Sequence, residues 1–467
     1  MSPIRDPQPH PSPRRRPLLL RIRITRAAFA LTVGLFLLLT VVQLGRAGRI
    51  ADWKATELQL LNLDVAPAPL NARFFDPVGR SVFTVSDTLA SGTARFFQPE
   101  QQGLDPGFTG TVRIDTEQLV VGAVLHRAFP AAGMAGNDVF PMVQDNITAT
   151  VYHAAWVERM SPEGQFTSQI LVANLGSAPA EVQVSLSDSS STPVWQDKLD
   201  IPVNGSIELD LAGIVQLTAG FGGSAQLQAT QPIHIDIVRS NESQWAIYAA
   251  QPEGSAQLVA PLVAGLIPGA ATPTIHLLNP QISATGLVTV CAVLDGSCSH
   301  HPLPPGASLA VLPEADHPDT YLIEGSVPIM ATICTDSPAG SSAYAAVPVN
   351  QAATHLAAPL LLGNHDDWLT TWWVYNPTSS PATISIHYVS ASGESWTLPS
   401  IEVGPTAIRP LEPWLEASIY AGWIQADRPV LGLIEGHHPQ EPDGRFTYWA
   451  TPFSPSAWRQ FLPLLFR

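Results

Sequence analysis

The sequence predicts an all-β protein in which four tandem antiparallel β-sandwich modules follow one N-terminal transmembrane helix. Three observations predict it: an uneven distribution of charge, a fourfold internal repeat, and a composition rich in proline and poor in charge. Of 467 residues, 44 are proline and only 13% are charged, against roughly 5% and about 25% in an average soluble protein. That balance suits strands and turns better than helices. Hydrophobic residues make up 45%, too many for a chain that stays disordered. The net charge of −16 leaves no basic face for polyphosphate, so nucleic acid is excluded as the expected partner.

Residues 1–26 carry seven arginines and a single acid, Asp6, and read as a basic cytoplasmic tail. Residues 27–45, AAFALTVGLFLLLTVVQLG, contain no charge, and 19 residues of helix are just long enough to cross a bilayer core of about 30 Å. The basic flank predicts that the N-terminus faces the cytoplasm. Residues 50–467, with 38 acids and 14 basic residues, are then extracytoplasmic. A cleaved signal peptide has a shorter apolar region and a small-residue cleavage site; here the run is long and RAGR follows it, so an uncleaved anchor is expected. No cysteine follows the run, which excludes a lipoprotein anchor.

Four segments share one pattern: ELQLLNLDVAPA, SQILVANLGSAPA, TIHLLNPQISATG and TWWVYNPTSSPA. Their common asparagines, Asn62, Asn174, Asn279 and Asn376, lie 112, 105 and 97 residues apart. A second alternating run follows each (LNARFFD, EVQVSLSD, LVTVCAVLD, TISIHYVS), then a glycine-containing turn, then two late runs. In the last three copies Pro232, Pro328 or Pro429 separates the late runs; the first has Leu119. A hydrophobic segment recurs as TVYHAAWVE, QLVAPLVAG, HLAAPLLLG and finally QFLPLLFR. The first repeat begins without such a segment and the sequence stops on one, so it is assigned as the closing strand of each module. The modules are then 52–158, 159–266, 267–364 and 365–467.

Within each module, short runs alternate between apolar and polar residues, as a half-buried strand requires. Ile207, Leu209 and Leu211 alternate with Glu208 and Asp210 in this way. About seven runs per ~100 residues predict an immunoglobulin-like sandwich, with prolines at turns and strand edges. A four-bladed propeller is the alternative, although ~100 residues exceed a four-stranded blade. The elements VANLGSAPAEVQVSLSD, PPGASL, GSAQL, SVPI and FLPLLF resemble tandem β-sandwich modules of bacterial surface and secreted proteins of unassigned function. The resemblance spans residues 52–467 and implies an envelope or surface role, without supplying catalytic residues.

Gly363–Asp367, GNHDD, resembles one block of calcineurin-like metallophosphoesterases, but the partner blocks that would share two metals are absent. By comparison between repeats it is a loop between modules. His300-His301 and His437-His438 are read as surface loops, since a metal site needs three or four convergent ligands. Glu314, Asp316 and Asp319 do not match a calcium loop. No metal site, cofactor or catalytic residue is therefore assigned. Among Cys291, Cys298 and Cys334, the pairing Cys291–Cys334 closes the longest loop and is the expected disulfide. Eight of twelve tryptophans lie from residue 368 onward. Trp372 and Val374 align with inward Ile170 and Val172, so Trp373 and Tyr375 should point outward and form an aromatic binding face.

The expected function is thus that of a non-catalytic, membrane-anchored protein forming a rod, whose distal fourth module binds a glycan or a surface protein. The alternatives are a structural spacer that self-associates and a surface hydrolase.

Overall fold

A computed structural model describes residues 53–98, 103–104, 108, 110–128, 136–141, 149–162, 165–261, 273–313, 320–337, 340–411, 418–438, 444–454 and 460–466. The expected tail 1–26 and transmembrane helix 27–45 lie outside these residues, as do Glu314, Asp316 and Asp319. Among the described residues no helix is long and apolar enough to cross a membrane. The fold is all-β.

The first repeat forms β1 (Trp53–Asn62), β2 (Ala68–Phe75), β3 (Ser81–Leu89), β4 (Ala94–Phe97), β5 (Gly110–Thr116), β6 (Val120–Ala128) and β7 (Gly136–Pro141). The second forms β8 (Val151–Arg159), β9 (Thr167–Asn174), β10 (Ala180–Asp188), β11 (Pro193–Ile201), β12 (Ser206–Asp210), β13 (Phe221–Ala229), β14 (Ile233–Ser240) and β15 (Trp245–Ala249). The third forms β16 (Ser255–Pro261), β17 (Thr274–Leu278), β18 (Gly286–Ala292), β19 (Cys298–Leu303), β20 (Ser308–Val311), β21 (Thr320–Ser337), β22 (Gly340–Ala345) and the short β23 (Val347–Pro348). The fourth forms β24 (Ala353–His365), β25 (Trp368–Asn376), β26 (Ala382–Ser390), β27 (Ser395–Thr397), β28 (Ile401–Val403), β29 (Ala407–Leu411), β30 (Ser418–His437), β31 (Arg445–Trp449) and β32 (Thr451–Pro452), and β33 (Gln460–Phe466) ends the chain.

Pairing is antiparallel and follows one scheme in all four repeats. In the second, β11-β10-β13-β8 form an outer sheet and β12-β9-β14-β15 an inner one, joined where Arg159 meets Thr167. The third reads β19-β18-β21-β16 and β20-β17-β21-β22. The fourth reads β27-β26-β30-β24, with β28 also beside β26, and β29-β25-β30-β31. The first reads β3-β2-β5-β33 and β4-β1-β6-β7. The two sheets of a repeat share one apolar core, as in the second, where Val182 and Val184 of the outer sheet meet Ile170 and Ile235 of the inner one. The fold is therefore β-sandwich-like.

One expectation changes here. The recurrent hydrophobic segment opens a unit instead of closing one: β8 pairs with β13, β16 with β21 and β24 with β30, each inside the repeat that follows it. The first repeat receives its strand from the far end of the chain, where β33 pairs with β5 from Gln460 opposite Thr116 to Phe466 opposite Gly110. By pairing, the units are thus 53–141 with 460–466, then 151–249, 255–345 and 353–449. The two late runs also lie in different sheets. In β21 and β30 a single strand pairs with the outer sheet before Pro328 or Pro429 and mainly with the inner sheet after it. Proline donates nothing to a ladder, so it sits where the strand changes partners.

The repeats do not form a rod. The inner end strands contact one another in cyclic order, β7 to β15, β15 to β22, β22 to β31, and β31 back to β7. The cores interlock in the same sequence. Leu171 and Trp245 of the second repeat enter the first core, Cys334 and Ala343 of the third enter the second, Trp373 and Leu433 of the fourth enter the third, and Ala123 and Val139 of the first enter the fourth. A head-to-tail contact that repeats until it meets its start is a closed cycle. The propeller alternative had the cyclic arrangement, but the unit has two sheets instead of one blade.

Candidate functional site

The residues singled out as a binding face, Trp373 and Tyr375, sit on β25 with their side chains on the opposite face from Trp372, as alternation requires. That face is covered. Trp373 is 7% and Tyr375 4% exposed. Trp373 joins the core of the third repeat and its indole Nε1 donates to Glu435 Oε2 at 3.2 Å. Tyr375 packs with Val259 of β16 and with Leu431. Their aligned positions are buried in every repeat: Gln59, Leu171 and His276 for Trp373, and Leu61, Ala173 and Leu278 for Tyr375. The sequence held a signal for this, because ILVAN and WWVYN are apolar on both faces, which marks a strand covered on both sides.

The expected disulfide is also replaced. Cys291 bonds to Cys298, which stands directly opposite it across β18 and β19 with Cα atoms 4.1 Å apart. Cys334 lies in the inner-sheet half of β21, is buried and remains a free thiol. Burial pushes its pKa up to about 12. Loop length was the wrong criterion, since register sets Cys298 opposite Cys291, whereas Cys334 stands between Thr274 and Ala343.

GNHDD is a tight hairpin inside the fourth repeat, not a loop between modules. His365 pairs with Trp368 across a two-residue turn, and Asp366 and Asp367 have φ of 51° and 65°, the left-handed pair a hairpin turn favours. His300 and His301 lie on strand β19, not in a loop. Among the described residues no three His, Cys, Asp or Glu side chains are grouped to hold a metal ion.

The buried charges lie between and behind the sheets. Arg239 contacts Glu158 of its own repeat, donates from Nη2 to Asp336 of the third at 2.7 Å and from Nη1 to Ser341 at 3.1 Å, and lies over the Phe166 ring at 3.8 Å. Desolvation raises the Glu158 pKa and Arg239 opposes the shift. In the fourth repeat burial pushes Glu435 up to about 7, against the attraction of Arg445 and the bond from Trp373. Arg239 thus ties the second repeat to the third, whereas Glu435, Arg445 and Trp373 all belong to the fourth.

An open cleft of about 390 Å³ lies instead on the outer sheet of the second repeat, walled by loops of the third. Alternation along β10 and β13 sends Val182, Val184 and Leu227 inward and Gln183, Ser185, Gln226 and Gln228 outward. Register then lines the outward residues up across strands. One row runs His153, Gln226, Ser185, Gln196, and the next sets Gln228 opposite Gln183. The wall includes Pro280, Ile282 and Pro305, with Ile282 94% exposed. Among the described residues no Asp, Glu, Lys or Arg lines the cleft. Lys198, which stands opposite Gln183, is held by Glu181 at 2.6 Å. Burial pulls the His153 imidazole down to about 4, so it is neutral at physiological pH. Sequence reading passed over these residues because outward Gln and Ser are the ordinary solvent face of a strand; only the neighbouring repeat makes the face concave.

No family model and no curated protein matches the chain.

Proposed function

We propose that the chain is a non-catalytic, membrane-anchored protein whose residues 50–467 lie outside the cytoplasm and recognise a glycan or protein partner at the cell surface. Residues 27–45 anchor it, with the arginine-rich tail inside. Four β-sandwich modules form the exported part. Recognition falls to the outer sheets, because the inner sheets and the aromatic face of β25 are spent on contacts between repeats. The observation that carries this reading is the cleft beside β10 and β13, a concave polar surface on an outer sheet. Binding of residues 50–467 to intact, protease-treated and periodate-treated cells tests it. Saturable binding lost after one treatment is expected and says whether the partner is protein or glycan; absence of saturable binding to untreated cells contradicts the reading.

A further inference from the structure

The cleft between the second and third repeats has a definite chemistry, and we infer that it is a binding site for a neutral oligosaccharide. The inference rests on the recognition reading above and names its ligand class. Three properties point the same way. The first is hydrogen-bonding capacity without charge. Gln183, Gln226 and Gln228 are exposed, and no hydrogen bond within the protein engages their side-chain amides among the described residues. Each amide offers two donors and an acceptor with two lone pairs. Such groups match ligand hydroxyls, which donate and accept at once. Serines 185, 187 and 224 add three hydroxyls of the same dual kind.

The second property is spacing. Side chains on one face of a sheet repeat about every 6.7 Å along a strand and about every 4.8 Å across strands. Gln226 and Gln228 are two apart on β13, and Gln183 faces Gln228 on β10. They form a grid on the scale of linked pyranose rings. The wall is the third property. Pro280, Ile282 and Pro305 offer aliphatic surface beside the polar floor, suited to the C–H face of a sugar, and Ile282 is 94% exposed.

The aligned position is charged in the first and third repeats and neutral in the fourth, where Gln425 stands opposite Ser385. Where the second repeat has Gln228, the first has Asp115, bound to Arg73 and Arg113, and the third has Glu324, bound to Gln257. A hard cation is held chiefly by carboxylates and zinc by several His or Cys, of which the described lining offers one His, and a bound anion is favoured by basic side chains, which that lining lacks. The volume of about 390 Å³ lies at the small end of ligand sites, which run from roughly 300 to 1,000 Å³, and fits a short stretch of glycan.

The test is calorimetric titration of the full chain, in a detergent without a sugar headgroup, with hexasaccharides of β-glucan, mannan and galactan and with a hexagalacturonate control. Binding of at least one neutral hexamer, weakened tenfold or more in Gln183→Ala/Gln226→Ala and unaffected by Ser86→Ala on the outer face of the first repeat, is expected. Both glutamines are exposed, so the variant should keep the parent's melting temperature. Binding of none of the neutral hexamers, binding that the double variant leaves intact, or preference for the galacturonate overturns the inference. If cells still bind the chain saturably while those results hold, only the ligand class is wrong; if cell binding is also absent, the recognition reading fails with it.

Discussion

At the residue scale, the repeat's most regular letter has a structural task. Asn62, Asn174, Asn279 and Asn376 are all buried, at 0 to 2% exposure. Each sits at the end of the strand that carries the motif and turns its amide into the fold. Asn174 Nδ2 donates to the carbonyls of Ala178, Ile201 and Pro202 at 2.9 to 3.0 Å, and its Oδ1 accepts from the Gly176 amide at 2.8 Å. Asn62 and Asn376 make the same set of bonds, and Asn279 all but one of them. The side chain clasps the turn after its own strand to the end of a strand about 27 residues on. Asn174→Ala strands several buried polar groups and should cost about 2–4 kcal/mol; a denaturant titration reading less than ~1 kcal/mol contradicts the clasp. This residue was legible in the sequence because its spacing survives where its neighbours vary. The cysteines were not, because register decides pairing. Peptide mapping without reductant should recover Cys291 joined to Cys298, with Cys334 alkylated only after unfolding, since its thiol is buried and protonated. A Cys291–Cys334 peptide would contradict the register of β18 and β19.

At the element scale, alternation revealed the strands and misjudged one face. Runs such as EVQVSLSD show their polar side to solvent, and the structure agrees. Strands β9, β17 and β25 lack alternation because the preceding repeat covers the side that solvent would otherwise take. An inward-outward rule applied to β25 gives the correct face for Trp373 and the wrong environment, since period says which side and not what lies there. The same interfaces bury charge. Arg239 joins β14 to β8 and to β21 of the third repeat. Arg239→Ala leaves Glu158, 2% exposed, without its counter-charge and should destabilise residues 50–467 by ~3–5 kcal/mol. The double change Arg239→Met/Glu158→Gln removes both charges and should recover most of that loss, which thermal unfolding of the three proteins can read. An Arg239→Ala variant as stable as the parent would show that the contact contributes nothing to the interface.

At the scale of the whole molecule, the repeat count and the strand content were legible, but the closure was not. Four hydrophobic segments serve four repeats whether each opens a unit or closes one; the two readings differ only by a cyclic shift. The shift closes the cycle through β33, whose partner β5 lies in the first repeat. Period and spacing carry no information about so distant a pairing. Its consequence for function is large. In a rod the last module is the free end and its aromatic strand a natural docking face, whereas in a cycle no repeat is terminal and only outer sheets remain to meet a partner. Small-angle X-ray scattering from residues 50–467 tests this most directly. A closed cycle predicts a radius of gyration of about 22–26 Å, near that of a compact chain of this length. Four sandwiches end to end, each roughly 30 Å long from its strand lengths, would give about 35 Å or more, and that value would contradict the closed arrangement and the placement of recognition on the outer sheets.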